Sequence, residues 1–439
     1  MVEAGTVAIL GAGPAGLSAA HFLYQQEVDC TVFEATNKSG GLASAVSLWG
    51  RELDLGPHTF LESSQPKAVA FWKQLGGQHI QNLPLNRGMV LRKRVITFPP
   101  KPWGLLNALG PIKCSLAGAS HLASKLKSPP LPVSAEDFFI SQFRAVFNDL
   151  VFDPFCEKYM GKHAKEVDSG FATALSSFAH QTGKTDIQAD PSSMKNLLYP
   201  EDGTAAQWKR LVYQIENQKP IQLNKKVKGF KLSDSRITAV VFEDGSQVVT
   251  NYILSSISIR TMLQMLGNCP PKVKKAAEEI KTRNTVLVYL HLNKTTFPQH
   301  YITVFDHSLE VGRISNFDNW QPNRQFQDTV VCLEYWCQSE DKNWLLGEHE
   351  MIAKAMHELV LVGLAKKEAF LEGAVVKIPH SHPVLDLSHK NNLQEINDYL
   401  NSFTNLKLLG RHATFSWDGQ ADNLMAGMMV AEQIKTQQW

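Results

Sequence analysis

Residues 6–23 read TVAILGAGPAGLSAAHFL, and this stretch decides the fold. It opens with five residues whose apolar, partly β-branched composition is typical of a short buried strand. It closes with apolar residues spaced as on the buried side of a helix. Between the two lies the pattern G-x-G-x-x-G, formed by Gly11, Gly13 and Gly16. We therefore predict a strand, a tight glycine turn and a helix in direct succession, as in an α/β fold with a parallel sheet.

A second strand-like run, CTVFE, ends at Glu34. In a dinucleotide-binding βαβ unit, the glycines allow the tight turn, the approach of a pyrophosphate and the close packing of helix on strand. The helix N-terminus stabilises the phosphate charge, and an acid at the end of the second strand accepts hydrogen bonds from ribose hydroxyls. The predicted dinucleotide site therefore includes Gly11, Gly13, Pro14, Ala15, Gly16, Glu34 and Ala35.

Two later glycine motifs indicate which dinucleotide is expected. NKSGGLAS places Gly40 and Gly41 shortly after the acid, and RELDLGPHTF places Asp54 and Gly56 in a further strand and turn. A nicotinamide dehydrogenase does not require these later glycines, and the chain has no second GxGxxG for a separate NADPH domain. The complete succession resembles the glutathione-reductase-type FAD proteins, and especially the amine oxidase group.

That resemblance implies a fold and a cofactor. The expected fold is α/β, with a Rossmann-like (glutathione-reductase-type) FAD-binding domain and an inserted α+β substrate domain. The expected cofactor is non-covalent FAD. It is expected beside a helix that begins near Asp422 or Asn423 and whose dipole stabilises a reduced flavin. Further FAD contacts are implied at Gly41, Leu42, Gly56, Pro57, His58, Val227, Gly410, Arg411, Asp422, Asn423 and Leu424. For Val227, a purely structural place in a core strand is the alternative.

The resemblance implies a discontinuous cofactor domain with two inserted regions, because in the FAD-binding group later segments return the chain to the cofactor domain. Turn and hairpin signals mark the segments concerned. The expected ranges are 1–80, 200–260 and 400–439 for the cofactor domain, 81–199 for a helical substrate or cap region, and 261–399 for a sheet-containing substrate domain. The basic, apolar stretch 101–127 is interpreted as a helix pair of the cap region, with contact to a membrane surface as the alternative.

Three further motifs indicate a branch of the group. GPHTF, FDPFCEKYMG and EVGRISNFDNWQP resemble segments of the protoporphyrinogen-oxidase-like proteins and the UDP-galactopyranose mutases, and the similarity covers nearly the whole chain. The resemblance implies that His58 lies beside the flavin as a base or an orienting group. It also implies that Arg313 and Arg411 anchor an anionic substrate or the cofactor. A structural histidine and a surface arginine are the alternatives for His58 and Arg313.

Departures from the mutase pattern affect the expected substrate. Where the mutases carry tyrosines that contact a substrate diphosphate, this chain has Trp320, His382 and Trp417. An indole N–H donates one hydrogen bond but does not reproduce the reach of a phenol. We therefore expect a wider, more aromatic pocket for a different ligand, with core packing as the alternative for the two tryptophans. The candidate catalytic residues are His58, Arg313, Trp320, His382 and Trp417.

Three functions are compatible with these observations. The first is an FAD-dependent oxidoreductase, similar to the amine oxidases and protoporphyrinogen oxidases, in which a hydride passes from an organic substrate to flavin N5. The second is a non-redox nucleotide-sugar mutase or isomerase that uses reduced FAD. The third is a non-catalytic FAD-binding protein. The expected partner is a small molecule that is anionic or sugar-linked.

Composition narrows the expected environment. The net charge is +2, and no run of Lys and Arg alternates with aromatic residues, so we expect no nucleic-acid partner. The six cysteines are scattered without a CxxC pattern, which favours reduced thiols in the cytoplasm and no metal site. The first apolar run leads into a glycine turn, and no apolar stretch has the length of a membrane helix. We therefore expect neither a signal peptide nor a transmembrane segment.

Overall fold

The structure is a computed structural model that describes residues 6–111, 131–143, 145–181, 196–294 and 297–436. The chain forms two compact units. Unit one consists of Met1–Asn82, Leu197–Lys281 and His389–Trp439, and unit two of Leu83–Asn196 and Thr282–Ser388. The sequence-based ranges differ from this division in two respects. Residues 81–82, 197–199, 261–281 and 389–399 lie in unit one, and the remainder of the two inserted regions forms a single unit.

The strands of the described residues are numbered in chain order. They are β1 (Val7–Leu10), β2 (Cys30–Phe33), β3 (Ala45–Leu48), β4 (Arg51–Asp54), β5 (Ile80–Pro84), β6 (Arg87–Leu91), β7 (Arg94–Phe98), β8 (Asn196–Pro200), β9 (Val227–Ser233), β10 (Arg236–Phe242), β11 (Gln247–Val249), β12 (Tyr252–Ser255), β13 (Thr282–Asn293), β14 (Tyr301–Val304), β15 (Arg313–Asn316), β16 (Asp328–Cys337), β17 (Phe370–Pro383) and β18 (Leu406–Leu408).

The longer α-helices are numbered in the same way. They are α1 (Pro14–Gln25), α2 (Pro66–Gly76), α3 (Pro102–Leu109), α4 (Ala135–Phe143), α5 (Asp153–Met160), α6 (Ser169–Gln181), α7 (Thr204–Glu216), α8 (Ile259–Leu266), α9 (Pro271–Glu279), α10 (Glu348–Leu361), α11 (His389–Leu400) and α12 (Gln420–Lys435). Among the residues that the structure describes, no helix combines the length and apolar character needed to cross a membrane. Of the stretch 101–127, residues 112–127 lie outside the described residues, so membrane-surface contact there stays a prediction.

The central sheet of unit one is parallel, with the strand order β18-β12-β1-β2. All four residues of β1 are buried, as expected for a strand of a parallel sheet that is covered on both faces. Val7 pairs with Cys30 on one side and with Tyr252 on the other. The predicted succession of strand, glycine turn and helix is therefore confirmed. The turn lies at the carboxyl end of the central strand β1, where open α/β sheets bind their ligands.

Helix α12 crosses α1 at close range. A Cβ at Gly427 would lie 2.5 Å from the Ser18 Cβ, so glycine is required at the crossing. Helix α12 begins at Gln420, within two residues of Asp422, near which its start was predicted. The Asp422 carboxylate accepts a hydrogen bond from the Gly419 N–H (2.8 Å) and thereby caps the first turn from inside the helix.

Unit two is organised around a seven-stranded sheet with the order β17-β13-β16-β15-β14-β6-β7. Successive side chains of a strand point to opposite faces. One face is apolar and packs against α10. This contact includes Met351 and Ala355 of α10 and, from the sheet, Val286, Val288, Ile302, Ile314 and Leu333. The residues that alternate with these on the central strands form what we call the polar face, and they include Tyr301, Arg313, Glu334 and Trp336.

Candidate active site

The glycine turn of unit one is fixed by close packing. Gly11 has a φ of +104°, and a Cβ there would overlap the Ser256 hydroxyl. A Cβ at Gly16 would overlap the carbonyl oxygen of Gly11. Any side chain at either position would therefore force the turn apart, which explains two of the three glycines without reference to a ligand.

Gly13 is different, because a Cβ there would meet no heavy atom of the described residues within 4 Å. Its φ of −81° is one that any residue adopts, so neither strain nor packing requires glycine. Gly41, with a φ of +51°, comes so near that its Cβ would lie 3.2 Å from the Gly13 Cα. We call the concavity between Gly11–Gly16 and Gly41 the cradle. Pro14 opens α1, and the N–H groups of Ala15 and Gly16 belong to a first turn that has no intrahelical acceptors.

Glu34 follows β2 and reaches the cradle. Its Oε2 accepts a hydrogen bond from the Ala12 N–H (2.9 Å), and its Oε1 accepts from the N–H of Thr36 (2.9 Å). A carboxylate offers about four lone-pair sites, so the half-buried Glu34 retains acceptor capacity for ribose hydroxyls. Ala35 is exposed beside it. The open space at Gly13, the helix N-terminus and this acid fit the pyrophosphate and ribose of a dinucleotide.

Asp54, noted in the sequence as part of a D-x-G motif, has a structural role in the described contacts. It is buried, and its Oδ2 accepts from the Tyr199 hydroxyl (2.8 Å) and the Thr204 N–H (3.3 Å). Its Oδ1 accepts from the Ala205 N–H (3.3 Å), so Asp54 caps the N-terminus of α7. Burial, and then the Asp54 charge, raise the pKa of Tyr199 well above its usual value. The sequence pattern alone did not reveal this cap.

The turn after Asp54 carries three predicted cofactor contacts. Gly56 has a φ of +80°, which favours glycine, and it is followed by the half-buried Pro57 and His58. The His58 carbonyl oxygen accepts a hydrogen bond from the Thr204 hydroxyl (3.5 Å). The turn is thereby joined to the same helix end that Asp54 caps. A catalytic role for the His58 ring stays a prediction.

Two further predicted cofactor contacts belong to unit one. Val227 is buried and opens β9, where it pairs with Phe242 of β10. Leu42 is half-buried in the short turn Gly41–Ala43. Neither observation separates a contact with the cofactor from ordinary core packing, so both stay predictions.

Arg411 organises the segment that leads into α12. Its Nε and Nη2 both donate to the Asp418 carbonyl oxygen, at 3.0 and 2.6 Å. These bonds close a loop that contains the half-buried Trp417. Gly410 precedes the arginine with a φ of +81°, and a Cβ there would lie 2.9 Å from the Ala15 Cβ. The segment therefore returns the chain to the start of α1.

The beginning of α12 accounts for the remaining predicted contacts in unit one. Asn423 donates from Nδ2 to the Gly419 carbonyl oxygen (2.6 Å), and a Cβ at Gly410 would lie 3.0 Å from its Oδ1. Asp422 is exposed and serves as the cap described above, whereas Leu424 is fully buried. Of the three, Asn423 is the residue whose side chain comes nearest to the Gly410 backbone.

The polar face of unit two presents Arg313 between two aromatic rings. The Arg313 guanidinium carbon lies 5.6 Å from the ring centre of Tyr301 and 5.5 Å from that of Trp336. These are cation–π distances, and they hold the guanidinium on both sides. Trp336 lies against Gly312, where a Cβ would overlap its ring. Arg313 is thus a positioned, half-buried cation rather than a surface side chain.

Glu334 is the acidic partner of Arg313 on the neighbouring strand. Their side chains are 3.5 Å apart, from Nη1 to Oε1, and Glu334 is buried. Burial raises the pKa of Glu334, against the opposing effect of Arg313. Burial lowers the pKa of Arg313, but the charges of Glu334, Tyr301, Tyr159 and Cys332 together more than offset this, and the net shift is upward. The sequence analysis missed Glu334, because its pairing with Arg313 appears only in the strand register.

Trp320 and His382 join the same face through stacked rings. Trp320 stacks on Tyr301, with ring centres 6.4 Å apart, and His382 stacks on Tyr159 at 4.2 Å. Tyr159 meets Trp336 edge-on at 4.6 Å. We call Trp320, Tyr301, Trp336, Tyr159 and His382 the aromatic row, with Arg313 near its middle. The structure therefore brings three of the predicted catalytic residues into one continuous group.

The polar atoms of the two outer residues of the row are engaged inside unit two. The Trp320 indole N–H donates to the His300 carbonyl oxygen (3.0 Å), and Trp320 is buried. His382 Nε2 lies 2.9 Å from the Tyr159 carbonyl oxygen, and its Nδ1 lies 3.1 Å from the Ser381 hydroxyl. These contacts favour the packing alternative for Trp320 over a direct hydrogen bond to substrate.

A second cluster, which the sequence analysis missed, lies on α5 and the turn after it. Ligand atoms of Asp153, Glu157 and His163 lie within 4.8 Å of one another. The imidazole is engaged on both nitrogens, with Asp153 at 3.0 Å and Glu157 at 3.2 Å. Hydrogen bonding to Asp153, then the charge of Glu157, raise the pKa of His163. The arrangement is a group of two carboxylates around an imidazole, and it favours the protonated form of the ring.

The comparisons with known proteins agree with this architecture. The family model of the flavin-containing amine oxidoreductases matches residues 14–377. Since this range covers well over half of the sequence, the chain belongs to that family. The cradle fits the dinucleotide part of the flavin cofactor that the family name specifies.

Two curated relatives are oxidases of porphyrinogens by name. A segment of 58 residues, 13% of this chain, is 47% identical to coproporphyrinogen III oxidase of Staphylococcus aureus (strain NCTC 8325 / PS 47) and covers 12% of that protein. A segment of 159 residues, 34% of this chain, is 30% identical to protoporphyrinogen oxidase 2, chloroplastic/mitochondrial, of Arabidopsis thaliana and covers 31% of it. The chain thus matches less than a third of the length of either relative.

Among solved structures, a reduced UDP-galactopyranose mutase is similar to this chain with a TM-score of 0.82. The similarity covers 99% of this chain and 96% of the mutase, at 17% identity. At that identity the likeness shows the fold alone. The α/β flavoprotein fold predicted from the sequence is therefore confirmed, whereas the reaction is a separate question.

Proposed function

We propose that the protein is an FAD-dependent oxidoreductase that removes a hydride from an anionic organic molecule. In this proposal unit one is the FAD-binding domain and unit two is the substrate domain. The cradle, Glu34 and the start of α12 hold FAD without a covalent bond. Bound flavin supplies a two-electron acceptor at N5. The substrate also loses a proton, so that it gains a double bond, and the two electrons pass on to dioxygen or another external acceptor.

The residues of this chain have separate tasks in the proposal. Arg313, held between Tyr301 and Trp336, binds the anionic group of the substrate. The aromatic row offers flat surfaces for an unsaturated carbon skeleton. His58 is the proposed base or orienting group. Arg411 closes the loop that carries Trp417, and its remaining donors are available to an anion.

One observation carries the preference for an oxidoreductase. At two positions where the mutases carry tyrosine hydroxyls, the polar atoms of Trp320 and His382 are engaged within unit two. At these two positions, the side chains carry no phenol that could donate a hydrogen bond to a substrate diphosphate. The family membership supports flavin chemistry, and the names of the two curated relatives motivate porphyrinogens as first candidate substrates.

Anaerobic reduction tests the proposal. Purified protein reconstituted with FAD is mixed without oxygen with coproporphyrinogen III, protoporphyrinogen IX or a panel of amines. The expected result is bleaching of the long-wavelength flavin band by a carboxylate-bearing porphyrinogen rather than by an amine, and a slower response in Arg313→Gln. An Arg324→Gln variant, which alters an exposed arginine of unit two, serves as the control. Tight FAD binding without bleaching by any substrate, and without isomerase activity, would favour a non-catalytic FAD-binding protein.

A nucleotide-sugar mutase is the second candidate, and the fold likeness to a UDP-galactopyranose mutase supports it. We expect UDP-galactopyranose to bind poorly, because each missing neutral hydrogen bond weakens binding by about 0.5–1.5 kcal/mol and three tyrosines are absent. The expected weakening is about a hundredfold or more relative to a mutase. Titration of the reduced protein, followed by flavin fluorescence, measures it. Tight binding together with furanose product would establish the mutase instead.

A further inference from the structure

The position of Arg313 depends on the loop that precedes it. Residues 305–312 join β14 to β15, and Arg313 follows directly. The backbone closes the base of the loop, because the Val304 N–H donates to the Gly312 carbonyl oxygen (2.9 Å). The Gly312 N–H in turn donates to the Glu334 carbonyl oxygen (2.8 Å). A shift of this loop would move Arg313 relative to the rings on either side of it.

The Lys158 side chain of α5 binds carbonyl groups of this loop and of the residue before it. Its Nζ donates to the carbonyl oxygens of Val304 (2.9 Å), Asp306 (2.6 Å) and Val311 (3.2 Å). An ammonium group has three donors and no acceptor, so these bonds use it fully. Lys158 belongs to the motif FDPFCEKYMG, yet it has no part in the cradle or the aromatic row.

Glu358 of α10 holds the same loop through its amide groups. Its Oε1 accepts from the Glu310 N–H (2.7 Å), and its Oε2 accepts from the Val311 N–H (3.0 Å). The Tyr335 hydroxyl also donates to Oε2 (2.9 Å). A half-buried cation and a buried anion thus bind carbonyl and amide groups of one loop, and charge-assisted bonds of this kind are the stronger ones.

We propose that Lys158, with Glu358 as its counterpart, is a positioning residue that sets the Arg313 guanidinium between Tyr301 and Trp336 and thereby determines affinity for the anionic group of the substrate. This inference rests on the proposed role of Arg313. Lys158 touches no substrate in this account and acts through the loop backbone. Trp336 depends on the same loop, because its ring lies against Gly312.

The surroundings of Lys158 make its positioning effect on Arg313 dependent on pH. Burial lowers the pKa of Lys158 to about 8, against the opposing charges of Glu358, Asp306 and Glu310. A cavity of about 370 Å³ next to Lys158 brings further charged and titratable groups near, namely Glu157, His307, Asp341 and Lys342, and Lys354 pairs with Glu310. Loss of the ammonium proton removes one donor from the loop. Anion binding through Arg313 should therefore weaken as the pH rises above about 8.

Titration of FAD-loaded protein with inorganic pyrophosphate, followed by calorimetry, tests the proposal. We expect Lys158→Met to weaken pyrophosphate binding about tenfold, since charged hydrogen bonds to the loop are lost. Lys158→Arg should recover part of the affinity and lose the decline above about pH 8, because a guanidinium stays protonated. Lys165→Met, at an exposed lysine of the same unit, is the control and should match the wild type. FAD content should be the same in all four proteins.

Two further variants make the outcomes distinct. If Lys158→Met fails to fold, Glu358→Gln decides, because it removes the charge and one of the two accepting oxygens while keeping the size of the side chain, and wild-type pyrophosphate affinity in that variant would overturn the inference. Arg313→Gln should abolish pyrophosphate binding on the polar face. Adding Lys158→Met to Arg313→Gln should then cause no further loss of binding. Unchanged binding in Arg313→Gln would overturn the role of Arg313 and this inference together. Lost binding in Arg313→Gln with full binding in a folded Lys158→Met would overturn this inference alone.

Discussion

The cradle of unit one is made of backbone, whereas the polar face of unit two is made of side chains. In the cradle, close packing excludes a Cβ at Gly11 and Gly16, and the free space lies beside Gly13. On the polar face, stacked rings and an ion pair hold Arg313. A backbone site tolerates few residue types, so its sequence carries a recognisable signature. A side-chain site can be rebuilt with other residues, and its sequence therefore reveals less about the ligand.

The largest expected effect comes from Gly16→Ala, which breaks the cradle itself. The new methyl group would overlap the Gly11 carbonyl oxygen and lie 3.3 Å from the Ile9 side chain. We expect a loss of about 3 kcal/mol in unfolding free energy, at the upper end for overpacking, together with loss of FAD. Denaturant unfolding and the flavin absorbance of the purified protein measure both quantities.

Gly13→Ala is the matched control and sharpens the comparison. Because its φ is ordinary and its Cβ meets nothing in the described residues, stability without FAD should change by less than about 0.5 kcal/mol. FAD affinity should nevertheless fall about tenfold or more, because a methyl group would obstruct the approach of the pyrophosphate. Wild-type FAD affinity in this variant would show that the pyrophosphate lies elsewhere.

Gly312→Ala is the corresponding change in unit two. Its methyl group would overlap the Trp336 ring, so we expect a loss of about 1–3 kcal/mol in unfolding free energy. Pyrophosphate binding should weaken while FAD affinity stays at the wild-type value. Gly104→Ala, in helix α3 of the same unit, is the control, because its Cβ would make only an ordinary 3.6 Å contact with Ile96. A parallel loss of FAD in Gly312→Ala would argue against separate sites.

Low pH should lower the stability of unit one through protonation of His21. This residue of α1 is buried, and burial lowers its pKa from 6.5 to about 4. Because the unfolded chain takes up this proton at higher pH than the folded protein, stability is full above about pH 6.5 and falls as the pH drops towards 4. The loss at pH 5 is about 2 kcal/mol. His21→Gln should remove this part of the pH dependence when unfolding at pH 7 and pH 5 is compared, and an unaltered slope would contradict the assignment.

The smallest expected effect is that of Glu34→Gln on FAD affinity. The amide keeps one oxygen for the cradle contacts with Ala12 or Thr36 but removes the charged acceptor for the ribose. We expect about tenfold weaker FAD binding, within the range for a hydrogen bond to a charged group. Thr36→Val removes only the Thr36 hydroxyl, which donates to Glu34 Oε1 (2.9 Å), and should retain FAD. If Glu34→Gln binds FAD with wild-type affinity, the Glu34 carboxylate stabilises only the backbone around it and does not bind the ribose.

The parts of the molecule that could be predicted from sequence are those encoded by neighbouring residues. The cradle and the start of α1 come from one short stretch, and the structure contains the turn as expected. The pairing of Arg313 with Glu334 was missed because it depends on strand register. Tyr159 and Trp336 were missed for a related reason, since each looks like an ordinary core aromatic until the sheet brings it beside Arg313 or His382.

The sequence pattern also did not predict which residues cap the ends of helices. Asp54 appeared as part of a cofactor motif, yet its described contacts are with Tyr199 and the first turn of α7. The Asp422 cap at the start of α12 was also missed, because the sequence does not show which N–H group a nearby carboxylate accepts from. For Asp54, the hydrogen-bond partners that decide its role are distant along the chain.

The interleaved strands of unit one also set an order of events during synthesis. Its sheet takes β1 from residues 7–10, β12 from residues 252–255 and β18 from residues 406–408. The ribosome therefore releases the glycine turn long before it releases α12, whose Gly427 packs on Ser18. A nascent chain that stops before residue 406 lacks the edge strand and the helix that covers α1. Such a chain would expose this apolar surface to chaperones, and the ability to retain a flavin would appear only after residues 406–435 have been synthesised.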